Sequence, residues 1–128
     1  MAKTTQITVT AESKPGVLAK VSDTLAKAGV NIIALCAAEA AGRGKIRLVV
    51  SDPARAKEAL GAAKIRCGEE PALLLSMEDR PGVLAAAAAK LAAAKINVKC
   101  VYATTSGGGK AQVVVVVANP DKAEKALG

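Results

Sequence analysis

Glu12-Ser13-Lys14-Pro15-Gly16-Val17-Leu18-Ala19 returns sixty-six residues later as Glu78-Asp79-Arg80-Pro81-Gly82-Val83-Leu84-Ala85. The match continues outward: Leu25-Ala26 lies over Leu91-Ala92, and Asn31-Ile32 over Asn97-Val98. After a glycine-rich stretch the offset slips by one residue, so that Asp52-Pro53 matches Asn119-Pro120 and Ala59-Leu60-Gly61 matches Ala126-Leu127-Gly128. Self-similarity at a fixed spacing decides architecture before any local reading does. The chain is two copies of one module, with expected limits at residues 1–69 and 70–128.

Each copy opens on a strand. Ile7 and Val9 alternate with Thr8 and Thr10, and Leu73, Leu75 and Met77 repeat that two-residue period. A helix follows the Pro-Gly pair, because Val17, Leu18, Val21, Leu25 and Ala28 fall within an arc of about 100° on a 3.6-residue wheel. In the second copy the equivalent residues, Leu84 to Ala94, are mostly alanine, so helix propensity supports the assignment where periodicity does not.

Two β-rich runs come next, Asn31 to Ala38 and Lys45 to Ser51, joined through Gly42-Arg43-Gly44; their counterparts are Asn97 to Thr105 and Lys110 to Ala118 around Gly107-Gly108-Gly109. Both read as hairpins. Asp52-Pro53 and Asn119-Pro120 then place a capping side chain ahead of a proline at the first helical position, predicting two short helices. Only the first copy has a further strand candidate, Ala63 to Cys67, linked through Gly68 to Pro71 to the next strand.

The order βαββαβ, then βαββα, is the ferredoxin-like arrangement taken twice: an α+β fold of antiparallel sheets with helices on one face, the second copy lacking its last strand. The last strand of the first copy, Ala63 to Cys67, serving both copies in one continuous sheet would cover the edge this leaves open. Val113 to Val117 and Ile32 to Cys36 are apolar on both strand faces, which predicts burial on both sides by sheet-to-sheet contact between copies or between chains and, with it, a homo-oligomer, most simply a dimer.

Composition narrows the function. The 128 residues are 52% apolar, with no His, Trp or Phe and one Tyr, which removes histidine-dependent catalysis, histidine metal sites and aromatic stacking platforms. No base, nucleophile and orienting group recur together, so the chain is expected to be non-enzymatic, with no cofactor and no metal. Cys36, Cys67 and Cys100 lie far apart without a C-x-x-C pair and read as structural thiols. The N-terminus has no leader-like apolar stretch and no run is long enough to cross a bilayer, which implies a cytoplasmic protein without membrane attachment.

A net charge of +7 favours anionic partners without naming one. Nucleic acid is the competing reading for a basic βαββαβ chain, but the third strands, Lys45 to Ser51 and Lys110 to Val117, carry no aromatic residue on which a base could stack. Gly107-Gly108-Gly109-Lys110 departs from the phosphate-loop spacing, since Ala111 takes the hydroxyl position.

The chemistry therefore rests on the Pro-Gly segments. Where a strand hands over to a helix, free amides and the positive end of the helix dipole suit a carboxylate or phosphate, and glycine removes a Cβ that would block a ligand's approach. A tight turn explains any single Pro-Gly equally well. Its recurrence in equivalent places is what points to binding.

The pattern Asp79-Arg80-Pro81-Gly82-Val83-Leu84, then helix, then Ile96-Asn97-Val98, resembles the ACT domain, and the first copy carries it as Glu12 to Leu18 with Val30-Asn31-Ile32. The likeness spans nearly the whole chain, which is similar to small proteins made of two ACT domains without an attached enzyme. It implies a regulatory module binding a small molecule, most often an amino acid, at interfaces between paired domains. Transferred by motif, the loop residues that would hold the ligand carboxylate are Ser13, Lys14, Pro15, Gly16, Val17 and Leu18 in the first copy. Their counterparts are Asp79, Arg80, Pro81, Gly82, Val83 and Leu84, and the strand residues that would meet the amino group are Asn31 with Ile32 and Asn97 with Val98. An asparagine can donate and accept, which suits a zwitterion; it is also a common turn residue tolerant of positive φ. The remaining alternative is a ligand-free assembly module that pairs with a metabolic enzyme.

Overall fold

The computed structural model describes residues 2–105 and 107–128. Their elements run β1 (Ala2–Glu12), α1 (Val17–Lys27), β2 (Ile32–Ala40), β3 (Arg43–Val50), α2 (Pro53–Ala62), β4 (Cys67–Glu78), α3 (Val83–Ala93), β5 (Cys100–Thr105), β6 (Lys110–Val116) and α4 (Pro120–Leu127). The twofold β-α-β-β-α order is that of two ferredoxin-like modules, α+β, with β1 and β3, β2 and β3, β4 and β6, and β5 and β6 paired antiparallel.

Two compact units divide the chain: Thr5–Glu70, and Pro71–Gly128 together with the start of the chain through Thr4. In the first, the strands are ordered β2-β3-β1, with the opening residues of β4 beside β1. Ile7 faces Leu48 and Val9 faces Ile46 across β1 and β3, and these four side chains join Val21 and Leu25 of α1 and Ala56 and Leu60 of α2 in one core. The wheel arc of α1 is thus the packed face: Val21 and Leu25 are its buried residues, and Val17 and Ala28 are half-buried against them.

In the second unit the order is β4-β6-β5, with the opening of β1 on the free side of β4. Leu73, Leu75, Val113, Val115 and Val117 pack against Leu91 of α3 and Ala123 of α4. Leu91 is the only buried residue of the alanine-rich α3 among those described, so a single leucine anchors a helix held otherwise by propensity. The Lys3 ammonium pairs with the Asp121 carboxylate of α4, tying the first residues of β1 to this unit. The place of the missing last strand is therefore taken by the beginning of β1 and not, as expected, by the last strand of the first copy, which continues directly into the first strand of the second.

Several boundaries differ from those expected. The last strand of the first copy and the first strand of the second are one element, β4, unbroken through the expected linker at Gly68 to Pro71. It begins at Cys67 rather than Ala63, because Ala63 caps α2 and Lys64 follows in a left-handed conformation, φ 61°. The first hairpin turns at Ala41-Gly42, φ 53° and 77°, with Ala40 opposite Arg43, so Arg43 and Gly44 belong to β3. Positive φ at both residues of a two-residue turn gives the twist that matches the flanking strands. β5 begins at Cys100, three residues after Asn97.

Val113 to Val117 are buried to 4% exposure or less within one chain. Their two-faced apolarity therefore needs no second copy, which removes this ground for expecting an oligomer. Ile32 to Cys36 are less covered, and Leu35 is 39% exposed. Cys36, Cys67 and Cys100 are half-buried. Among the described residues, no helix is long and apolar enough to cross a membrane.

Candidate functional site

Both Pro-Gly segments make the same turn. Gly16 has φ 92° and ψ −13°, Gly82 φ 89° and ψ −14°, the third position of a type II turn with proline ahead of it. A Cβ built on either glycine meets nothing within 4 Å, so the requirement for glycine comes from φ and not from crowding. The turn demands glycine whether or not a ligand comes.

The turn also leaves each helix start without a side-chain cap. Asp52 accepts from the Arg55 amide at the start of α2, and Asn119 from the Lys122 amide at the start of α4, both at 3.1 Å. Gly16 and Gly82 have nothing to offer there, and the first intrahelical bonds of α1 and α3 are Lys20 to the Gly16 carbonyl and Ala86 to the Gly82 carbonyl. The Val83 amide donates to the Arg80 carbonyl at 3.5 Å, and the first-turn N–H groups of both helices carry the positive end of the dipole.

A cavity opens beside each start. The first, about 210 Å³, takes Glu12, Ser13 and Lys14 from the loop, Val17 and Leu18 from α1, and Ala37 to Glu39 with Gly44 to Ile46 from the hairpin. The second, about 300 Å³, takes Glu78, Asp79 and Arg80, Val83 and Leu84 of α3, Val101 to Ala103 of β5, and Ala111 and Val113 of β6. Most of the two linings correspond under the repeat: Glu12 answers to Glu78, Ser13 to Asp79, Lys14 to Arg80, Val17 to Val83, Leu18 to Leu84, Ala37 to Ala103, Gly44 to Ala111 and Ile46 to Val113. In both units the loop is tied to the hairpin turn, since the Ser13 amide donates to the Gly42 carbonyl and the Asp79 amide to the Gly109 carbonyl, each at 3.0 Å.

Polar groups distinguish the two. In the second cavity Arg80 Nε donates to Glu78 Oε2 at 2.6 Å; that hydrogen bond, then the Arg80 charge and then Lys110, hold the Glu78 carboxyl below the usual glutamate range. Thr105 Oγ1 lies 3.1 Å from Asp79 Oδ2. In the first cavity Lys14 Nζ is 3.8 Å from Glu12 Oε2, a looser pair, and Ser13 replaces the acidic Asp79. Tyr102, the chain's only aromatic residue, stands in the second cavity alone.

Of the sixteen residues singled out by motif, Ser13, Lys14, Val17 and Leu18 line the first cavity and Asp79, Arg80, Val83 and Leu84 the second. Pro15, Gly16, Pro81 and Gly82 shape the turns. Asn31, Ile32, Asn97 and Val98 line neither cavity, because they follow the end of a helix whose start makes the site, and eleven residues at about 1.5 Å rise separate the two. The Asn31 amide donates to Ser51 Oγ and its carbonyl accepts from the Ser51 amide, both at 2.9 Å. Neither asparagine has positive φ; that role falls to Gly29 and Lys95, two residues earlier. The hairpin residues Ala37 to Glu39, Tyr102 and Ala103 were missed by motif. Their strand spacing from Ile32 and Val98 could have located them at the far end of the strand.

The family model for the ACT domain pair matches residues 2–127. The chain belongs to the ACT domain pair family. A crystal structure of protein BT0572 from Bacteroides thetaiotaomicron is 32% identical, with a TM-score of 0.90 over 98% of this ACT pair and 86% of that chain. The ligand-free regulatory subunit of aspartate kinase from Thermus thermophilus is 23% identical, TM-score 0.73, over 98% and 91% of the two chains. The regulatory subunit of aspartate kinase from Thermus flavus is 20% identical, TM-score 0.68, over 98% and 90%. At those identities the two Thermus proteins share the fold. No curated protein matches the sequence of this ACT pair.

Proposed function

We propose that this ACT pair is a non-catalytic regulatory module that binds a small zwitterion, an amino acid, at its Pro-Gly helix starts. The observation that carries the proposal is the coincidence of two cavities, equivalent under the repeat, with the two helices that lack a side-chain cap. The ligand carboxylate meets the first-turn amides of α1 or α3, and the loop carboxylates and hydroxyls lie within the same cavities to receive its ammonium group. The likeness in fold to regulatory subunits supports the same reading. Asn31, Ile32, Asn97 and Val98 contribute only where a second copy brings its strand start to the cavity, so the proposed assembly is a homodimer. Modules at residues 1–69 and 70–128 would then each hold a site, in a cytoplasmic protein.

Thermal melts against each of the twenty amino acids test this. A ligand at a hundred times its dissociation constant adds about 2.7 kcal/mol to the folded state. A response confined to one or a few amino acids supports the proposal; indifference to all twenty refutes it.

A second reading has its own support. Among the described residues the exposed large apolar ones are Leu18, Leu35, Leu84 and Val101, two repeat-related pairs. Such pairs suit a ligand-free module docking on a metabolic enzyme or on a second copy. Sedimentation of Leu18→Ser with Leu84→Ser, beside the melts of the unaltered chain, separates the two: association lost in a protein that no amino acid stabilises favours this reading, and a ligand response of the unaltered chain favours the first.

A further inference from the structure

A second cavity in the first unit lies on the other side of the α1 start, between β1, α1 and the connection from α2 to β4, with a volume of about 330 Å³. Its floor is Val9, Val17, Val21 and Ile65. Lys14, Lys20, Lys64 and Arg66 stand around it, and no Asp or Glu lines it. Of these four, only Lys14 has a carboxylate within 4 Å among the described residues, Glu12 at 3.8 Å, and Glu12 is outside the cavity. Elsewhere on the molecule Lys3, Lys27, Arg55, Lys57 and Arg80 are each neutralised by an acidic neighbour.

The repeat provides the control. The corresponding cavity of the second unit, about 480 Å³, has Ala86 where the first has Lys20, and it includes Glu78 bonded to Arg80. That cavity is basic too, with Lys90 and Lys110 beside Arg80, but it holds a carboxylate; the first unit's has four cations and none in its lining. Four like charges around one concave site repel one another and focus field lines into it, an arrangement relieved by an anion.

We propose that this cavity binds a multiply charged phosphate group of a small molecule, held by Lys20, Lys64 and Arg66 over the valine floor. Lysine supplies point charges and arginine a planar fork that matches phosphate oxygens in pairs. The site is separate from the amino-acid site, sharing with it only Lys14 and Val17, so either can fail without the other.

Isothermal titration of the full chain at fixed ionic strength tests it, with inorganic phosphate, pyrophosphate and phenyl phosphate as probes. Pyrophosphate binding more tightly than phosphate identifies a free polyphosphate; phenyl phosphate binding more tightly than phosphate identifies an ester whose body uses the floor. Either supports the proposal. Lys20→Ala with Arg66→Ala should weaken the better probe about tenfold or more, while the exposed Lys99→Ala leaves it within about twofold. These are surface substitutions that keep the fold, which a melt of each variant verifies, with Lys64→Gly as an independent second probe of the same site. Absence of binding at millimolar probe, or equal loss in the Lys99→Ala control, overturns the proposal.

Discussion

Thr105 Oγ1 stands 3.1 Å from Asp79 Oδ2 and accepts the Gly107 amide at 3.2 Å, so one hydroxyl joins the Pro-Gly loop of the second unit to the turn between β5 and β6. The first unit has no such clasp: Ser13 stands where Asp79 does, and Glu39 where Thr105 does. Thr105→Val keeps the shape and removes both bonds. A hydrogen bond of about 1 kcal/mol net corresponds to roughly a fivefold change in an opening equilibrium, so the Gly107 amide should exchange about fivefold faster in the variant. Unchanged exchange would show the clasp to be idle.

Gly16→Ala and Gly82→Ala should each destabilise by about 1–2 kcal/mol although the added methyl touches nothing, because the cost is the left-handed φ. Urea denaturation measures it. A neutral outcome would mean that the turn relaxes to another form. Loss of ligand binding in a bulkier variant at these glycines would be ambiguous, which is why binding is better read on neighbouring amides.

Three helices end alike. Val30, Ile65 and Ile96 donate to the carbonyls of Leu25, Leu60 and Leu91, and the residue before each, Gly29, Lys64 or Lys95, holds positive φ. Only the first is glycine. Lys95→Gly should therefore stabilise the protein by roughly 1 kcal/mol, read as a higher denaturant midpoint at unchanged slope. A lower midpoint would mean that the lysine side chain contributes more than its backbone strain costs.

The pairing of Glu78 with Arg80 sets a pH dependence. The folded-state pKa of Glu78 is depressed, so the pair's contribution is in place above the ordinary glutamate range and is lost as pH falls through the depressed value. In carboxyl-detected titrations Arg80→Gln should move the Glu78 midpoint upward. An unmoved midpoint would assign the depression to Lys110 instead.

Much of this was legible because the repeat lends each copy's clear signals to the other. Alanine-rich α3 has no periodicity of its own, yet the α1 pattern of Val17, Val21 and Leu25 placed it correctly. The cap residues Asp52 and Asn119 were readable because their chemistry is local. What could not be read were features set across the fold: that β4 joins both copies, that the start of β1 serves the second unit, and that Val113 to Val117 are buried within one chain. Nor does the motif reveal the hairpin residues of the cavities, since Ala37 and Tyr102 reach them through strand register, not through sequence proximity to Gly16 or Gly82.

The most direct test is an amide titration of the isotopically labelled protein with the amino acid that most raises its melting temperature. Shifts should concentrate at Gly16 to Leu18, at Gly82 to Leu84, or at both, with the proton resonances moving downfield as a carboxylate settles on them. A saturating ligand that leaves all six amides unmoved while shifting others would contradict the proposed site.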